Sequence, residues 1–501
     1  MKNWVSFLFC ALLGLGMLAC GLLVPSHLRA VDDTVLERAA LDSPGFVGQG
    51  LALVYERNLG AAQLMFKAAE ERRIPRREPL QRALIELARQ DPMLRKHGFI
   101  DERSVGQVFQ NSGTTAAPAG AFETAAEFLI RAENRQAALQ ALENSESAVV
   151  RDLLHFRTMT NTTLFPASGT SSGQAVDAAL CMTGLLLEGG HVHPGFSNSI
   201  GRLAVGANAG KSGPLEQVLL DMLSLGQRFN WGQLLAFVGQ ISNPETLRLL
   251  ANHVRTEEGA RAVIFAAVQV SANPAGVARY LSTFGKTGAA DLGQSLRYGF
   301  AGMNELLERN QRLHVSRFEP LFVQLSLRAP LLGLTVKWLL FFAGGFLLSI
   351  AVHFALPRPA SLERPLQVGG IFIARAVLFG LGSLLVLLLV SEPFLAQESQ
   401  KVEFPFRVQL PGLGSAAPAG QPNPVTPFMN PEVLITMLIF FVLQALLYIV
   451  CLVKLAEIRR QKVVARMKLK LLENEEHLFD AGLYLGFLGT IISLILVSLG
   501  V

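Results

Sequence analysis

Two hydrophobic runs near the C-terminus, Val433 to Leu452 and Leu483 to Leu499, constrain this chain more than any other feature. Each approaches the length of helix needed to cross a bilayer core of about 30 Å. The segment between them carries Lys454, Arg459, Arg460, Lys462, Arg466, Lys468 and Lys470 against Glu457, before an acidic cluster at Glu473, Glu475 and Glu476. Basic loops stay on the cytoplasmic side of a membrane. Placing this loop inside fixes the sidedness of every other segment.

The N-terminus has Lys2, an apolar run from Trp4 to Val24, then Pro25 and His27-Leu28-Arg29-Ala30. Residues 1–30 read as a membrane anchor or a signal peptide, and the length of the run together with a poor cleavage site favours a signal-anchor. Met17-Leu18-Ala19-Cys20 leaves acylation of Cys20 as a third reading. All three export the region from residue 31 onward. Residues 331–391 predict a transmembrane helix pair, Leu331 to Ala355 and Ile371 to Val390, turned by a loop with Pro357, Arg358, Pro359 and Arg364. Lys337, Trp338 and His353 are placed to reach the interfaces, and Arg375, one turn in from the cytoplasmic face, to snorkel toward it. Residues 392–431 form a Pro/Gly/Ala-rich outer loop, and 432–501 a second pair of spans around the basic loop. The topology is then N-terminus in, 31–330 out, 357–370 in, 392–431 out and 454–478 in: a multi-pass protein of the cytoplasmic (inner) membrane with its large domain outside the cytoplasm.

Residues 31–330 read as helix after helix. Apolar residues recur at helical spacing in Leu51 to Ala69, Leu80 to Ala88 and Ala125 to Leu142, whereas alternating runs are scarce. Pro75, Pro79 and Pro92 fall at helix boundaries, while Asn111 to Gly120 and Thr160 to Gly173 are loops by composition. Gly213-Pro214, Asn243-Pro244 and Asn273-Pro274 recur every 30 residues. Each opens an apolar run: Leu219, Leu220 and Leu223, then Leu247, Leu249 and Leu250, then Val277, Tyr280 and Leu281. Second runs come at Leu234 to Val238 and Ile264 to Val268. One helix pair fills thirty residues and cannot bury its apolar face alone, so stacked pairs are expected, with a plain helical bundle as the alternative. The fold class is all-α: an exported helical-repeat, αα solenoid-like domain plus a C-terminal four-helix transmembrane region.

Half of the residues are hydrophobic and the net charge is only +5. Much of that positive excess sits in the basic loop, so no nucleic-acid footprint is indicated. Of four cysteines only Cys181 belongs to the exported region, which excludes an internal disulfide there. Gly169-Thr170-Ser171-Ser172-Gly173 fits a nucleophile-elbow string with Asp177, His191 and His193 downstream, but the preceding strand that an elbow needs is not expected. His191-Val192-His193 could supply two metal ligands, but Glu188 is the one acidic choice nearby and the others would have to come from elsewhere, so a polar loop after Gly189-Gly190 is the favoured reading. Gly206 to Ser212 fails the phosphate-loop spacing because Val205 stands where glycine is required. The sequon at Asn161-Thr162-Thr163 has meaning only in a eukaryotic secretory route. No catalytic, cofactor-binding or metal site is expected.

The polar groups that carry most weight lie within the apolar runs: Gln444, Thr490 and Ser493, with Gly482, Gly486 and Gly489 permitting close helix approach. Leu485-Gly486-Phe487-Leu488-Gly489-Thr490 resembles the Gly-Leu-Leu-Gly-Thr signature of the MotA/TolQ/ExbB proton-channel family. That resemblance covers some ten residues, and it implies that Thr490 lies near an ion path. The family's long cytoplasmic helices and its following span have no counterpart here. The expected function is a membrane scaffold for protein–protein interaction in a cell envelope. Its partners would be the membrane, other envelope or membrane proteins, and further copies of the chain. The alternative is a subunit of a transport or proton-conducting complex.

Overall fold

The computed structural model describes residues 2–41, 43–91, 94, 98, 123–159, 171–317, 320–355, 369–394 and 487. Within them the chain is predominantly helical. In order the helices are α1 (Lys2–Leu22), α2 (Asp33–Ala40), α3 (Phe46–Tyr55), α4 (Leu59–Glu71), α5 (Glu78–Gln90), α6 (Ala125–Ile130), α7 (Ala132–Glu143), α8 (Ala148–Met159), α9 (Ser171–Glu188) and α10 (Pro194–Asn208). Next come α11 (Gly213–Gly226), α12 (Trp231–Gly239), α13 (Pro244–Thr256), α14 (Arg261–Ser271), α15 (Pro274–Ser295), α16 (Gly299–Arg309), α17 (Val323–Arg328), α18 (Pro330–Ala355) and α19 (Gly369–Ser391). Strands β1 (Ala30–Asp32) and β2 (Arg312–His314) form a short two-stranded sheet. The chain divides into two compact units: Val31–Val315, and Met1–Ala30 with the residues from Ser316 onward.

In the first unit, sequence punctuation sets the helix starts. The three proline dipeptides spaced 30 residues apart open α11, α13 and α15, each with proline in the first turn, where a missing N–H costs least. Asn243 and Asn273 also cap their helices, accepting from the N–H groups of Thr246 at 2.8 Å and Gly276 at 2.9 Å. α9 packs on α11, α11 on α13 and α13 on α15, while α12 packs on α14 and α14 on α16. α14 lies at the centre: Ala262 to Val268, Val270 and Ser271 are all buried. A helix that is apolar all round belongs inside a core. Phe265 there stands 5.9 Å from Phe229 and 6.1 Å from Phe237, centroid to centroid.

α4 covers α12 and α14 from the other side, through a reciprocal junction of two helix N-termini. Asn58 and Asn230 cap α4 and α12, and each helix has a glycine two residues after its cap. Asn58 Nδ2 donates to Gly232 O at 2.9 Å, and Gln233 Nε2 donates to Gly60 O at 3.2 Å. A Cβ on Gly60 would lie 2.5 Å from Asn230 Oδ1, and one on Gly232 equally close to Asn58 Oδ1, so a side chain at either position would displace the other helix's cap.

Two expected helices are broken in the structure. Leu51 to Ala69 splits into α3 and α4, because Arg57 adopts a left-handed backbone (φ 57) and Asn58 starts a new helix. Ala125 to Leu142 splits at Arg131, which is extended, where buried Asn134 Nδ2 donates to Phe128 O at 2.9 Å. The loop expected through Gly173 is already helix from Ser171.

In the second unit α1, α18 and α19 run alternately up and down. Gly14 and Gly21 of α1 meet Gly344 and Phe341 of α18: a Cβ on Gly14 would sit 2.9 Å from Gly344 O, and one on Gly21 would sit 2.6 Å from the Phe341 ring. On the other side of α18, Gly345 faces Gly380 and Ser383 of α19. Small residues at such crossings let backbones approach closely. Among the described residues two helices are long and apolar enough to cross a membrane, Trp4–Leu22 with mean hydropathy 2.3 and Pro330–Phe354 with 1.9. The loop 357–368 and everything from 395 on, except Phe487, lie outside the described residues, and with them the third and fourth expected spans.

Candidate functional site

The α1/α18/α19 unit buries a complete charge cluster. Lys337, two turns into α18, exposes 1% of its side chain, as does Glu392 just beyond α19, and the two stand 3.3 Å apart. Lys337 Nζ also donates to Ser26 O at 3.0 Å and lies 3.2 Å from His27 Nδ1. An ammonium has three N–H donors and no acceptor, so each of these three contacts can take one of them when His27 Nδ1 is the acceptor. Glu392 Oε2 accepts the Leu28 N–H at 2.8 Å, and Ser26 Oγ meets Ser326 Oγ at 2.7 Å. The segment after α1, the first turns of α18 and the end of α19 are thereby tied together. Lys337 therefore does not reach out to an interface, as its place near a helix end suggested; it is spent on a partner 55 residues away.

The helical unit offers a different feature, a polar groove of about 500 Å³ between α11 and α13. Gln217, Asp221 and Ser224 line one wall; Glu245, Arg248, Asn252 and Arg255 line the other. The three- and four-residue spacings put each set on a single helix face. Gln217 Nε2 donates to Asp221 Oδ1 at 3.1 Å, and Arg255 Nη2 donates to Asn252 Oδ1 at 2.8 Å. Among the described residues Asp221 Oδ2 is buried without a hydrogen-bond partner. Burial raises the Asp221 pKa above the usual carboxylate value, against the opposing pull of Gln217, Arg248 and Arg255. The groove thus presents one acceptor in need of a donor beside two guanidinium groups.

His253, on the same helix as Arg248 and Arg255, is shifted the other way. Burial lowers its pKa below 6.5, and Glu257, 3.8 Å away, only partly offsets this. A depressed folded-state pKa means that the unfolded chain takes up the proton first. Its contribution to stability is present above pH 6.5 and is lost as pH falls through the folded value. Acid unfolding followed from pH 7 downward should therefore be shallower in His253→Gln than in the parent chain. Asp221 acts with the opposite sign, losing its contribution as pH rises through its raised value, so the two are separable by variant.

The intramembrane candidates Gln444, Gly486, Gly489, Thr490 and Ser493 lie outside the described residues. The elements of the serine string are otherwise engaged. Asp177 pairs with Arg157 at 2.5 Å, and His193 Nδ1 accepts the Gly195 N–H at 3.1 Å as the cap of α10. Burial, reinforced by Asp177, pushes the Cys181 thiol up to about 12, which removes it as a nucleophile at neutral pH. Sequence reasoning missed Glu392, assigning it to an irregular loop, and missed the groove altogether. The signal for the first was a lysine inside one apolar run and a carboxylate at the end of the next; none marked the second. Compared with known proteins, the chain matches no family model, no curated protein and no solved structure.

Proposed function

We propose that this protein is an integral membrane scaffold. α1, α18 and α19 lie in the cytoplasmic membrane, and the Val31–Val315 unit is a helical-repeat domain outside the cytoplasm that docks another envelope protein in the α11–α13 groove. The observation that carries the repeat reading is a register of side-chain-to-backbone hydrogen bonds. Arg261 Nη1 donates to Arg228 O, Gln269 Nε2 to Ala236 O and Asn304 Nδ2 to Ser271 O, every one across 33 residues. Stacked helix pairs produce such a constant offset, and an irregular bundle has no reason to. The α12, α14 and α16 layer is covered by neighbours on both sides, leaving the α11 and α13 face for a partner.

Membrane residence is supported by the outward side chains of the three helices. Trp4 is 70% exposed, Phe9 65%, Leu331 79% and Val390 74%. Apolar surface on that scale suits lipid rather than water. The close α1–α18 packing favours an α1 that is retained rather than cleaved. Copurification from mild detergent tests the docking claim. A protein held by the parent chain should be lost from the Arg248→Glu/Arg255→Glu variant while thermal stability is kept; equal recovery by both would count against the groove.

The second reading, a transport or proton-conducting subunit, draws on the buried Lys337–Glu392 pair, since ionisable groups between apolar helices often mark ion paths. The Leu485 to Thr490 resemblance to the MotA/TolQ/ExbB family points the same way.

A further inference from the structure

An open groove of about 640 Å³ runs along the α1/α18/α19 unit. Its walls are apolar, including Leu18 of α1, Leu348 of α18 and Phe379 and Val386 of α19. Among the described residues Arg375 is the single charged member of the lining, and no acidic side chain shares the groove with it. At Gly382 a Cβ would meet nothing within 4 Å, so the groove floor is open there. A rise of 1.5 Å per residue sets Arg375 and Val386 about 16 Å apart along α19. The result is a long apolar trough with one cation at its end. An arginine that merely snorkels would account for the cation but not for an adjoining trough. A guanidinium matches phosphate through paired N–H groups, and the trough matches an acyl chain.

We propose that this groove binds an anionic phospholipid, with its phosphate on Arg375 and an acyl chain along α19 toward Val386. The proposal rests on the membrane reading of these helices and is independent of the docking groove. The test uses the full chain reconstituted in vesicles of phosphatidylcholine and phosphatidylglycerol, then extracted in mild detergent, with retained lipids counted by native mass spectrometry. The parent chain should retain phosphatidylglycerol above its share of the vesicle. Arg375→Gln should lose that preference by about fivefold yet still carry phosphatidylcholine, the scale expected for one basic residue at an anionic surface. Arg375→Lys should keep much of the preference, and Gly382→Phe should shed both lipids. Retention in vesicle proportion by the parent chain, or an unchanged preference in Arg375→Gln, would overturn the proposal. So would a disulfide between Gly382→Cys and a cysteine placed within Val433 to Leu452, which would mean that the chain fills its own groove. Failure to enter the vesicles at all would instead defeat the membrane reading beneath it.

Discussion

Lys337→Leu should destabilise the α1/α18/α19 unit by about 3–5 kcal/mol, the usual penalty for leaving one member of a buried ion pair without the other. The reason lies in what remains. Glu392 Oε2 would keep the Leu28 N–H at 2.8 Å, but the buried Oε1 would lose its lysine, with His27 Nδ1 no nearer than 3.9 Å. Glu392→Leu should cost a similar amount by stranding the ammonium against Ser26 O and His27. The double variant Lys337→Leu/Glu392→Leu should recover most of the loss, because well-packed apolar side chains replace buried ion pairs at little cost. Thermal unfolding of the detergent-solubilised chain measures all three. Single variants as stable as the parent would mean that the pair contributes nothing to the fold. Recovery of stability in the double variant also allows the transport reading to be examined without confusing it with misfolding.

The second large effect is expected in the helical unit. Phe265→Ala should cost about 3–5 kcal/mol, the range for truncating a buried aromatic side chain. Phe265 is fully buried, stacked on Phe237 and tilted against Phe229, on a helix whose residues from Ala262 to Val268 are all covered. A cavity there would open beneath both helix layers at once, where collapse of one layer is resisted by the other. Leu220→Ala, at a position 37% exposed on α11, should stay within about 1 kcal/mol. Pulse proteolysis in urea compares the two, and equal losses would contradict the placement of α14 at the core.

What could be read from the sequence divides along physical lines. Helix starts were legible because their causes are local: proline in the first turn and asparagine at the cap act within four residues, and α11, α13 and α15 begin where those residues stand. The breaks at Arg57 and Arg131 were not, since the apolar spacing runs on through both: Arg57 turns left-handed just before the Asn58 cap, and Arg131 is extended where Asn134 bonds back to Phe128. The central position of α14 was likewise hidden. A short apolar run reports that it is buried but not by what, and its cover comes from α4, some two hundred residues earlier in the chain. Lys337 looked like an interfacial lysine because its partner lies beyond a second helix. The α11–α13 groove is polar on a polar surface, and no local pattern distinguishes such walls from ordinary solvated faces.

Photo-crosslinking in intact membranes from position 249 addresses the central claim most directly. Leu249 lines the α11–α13 groove and is 36% exposed, so a crosslinking residue there would face an occupant without disturbing the core. Lys67, exposed on α4, supplies the control. The account predicts one discrete adduct with another envelope protein from position 249, abolished by Arg248→Glu/Arg255→Glu, and none from position 67. No adduct from position 249, or the same adducts from both positions, would contradict it.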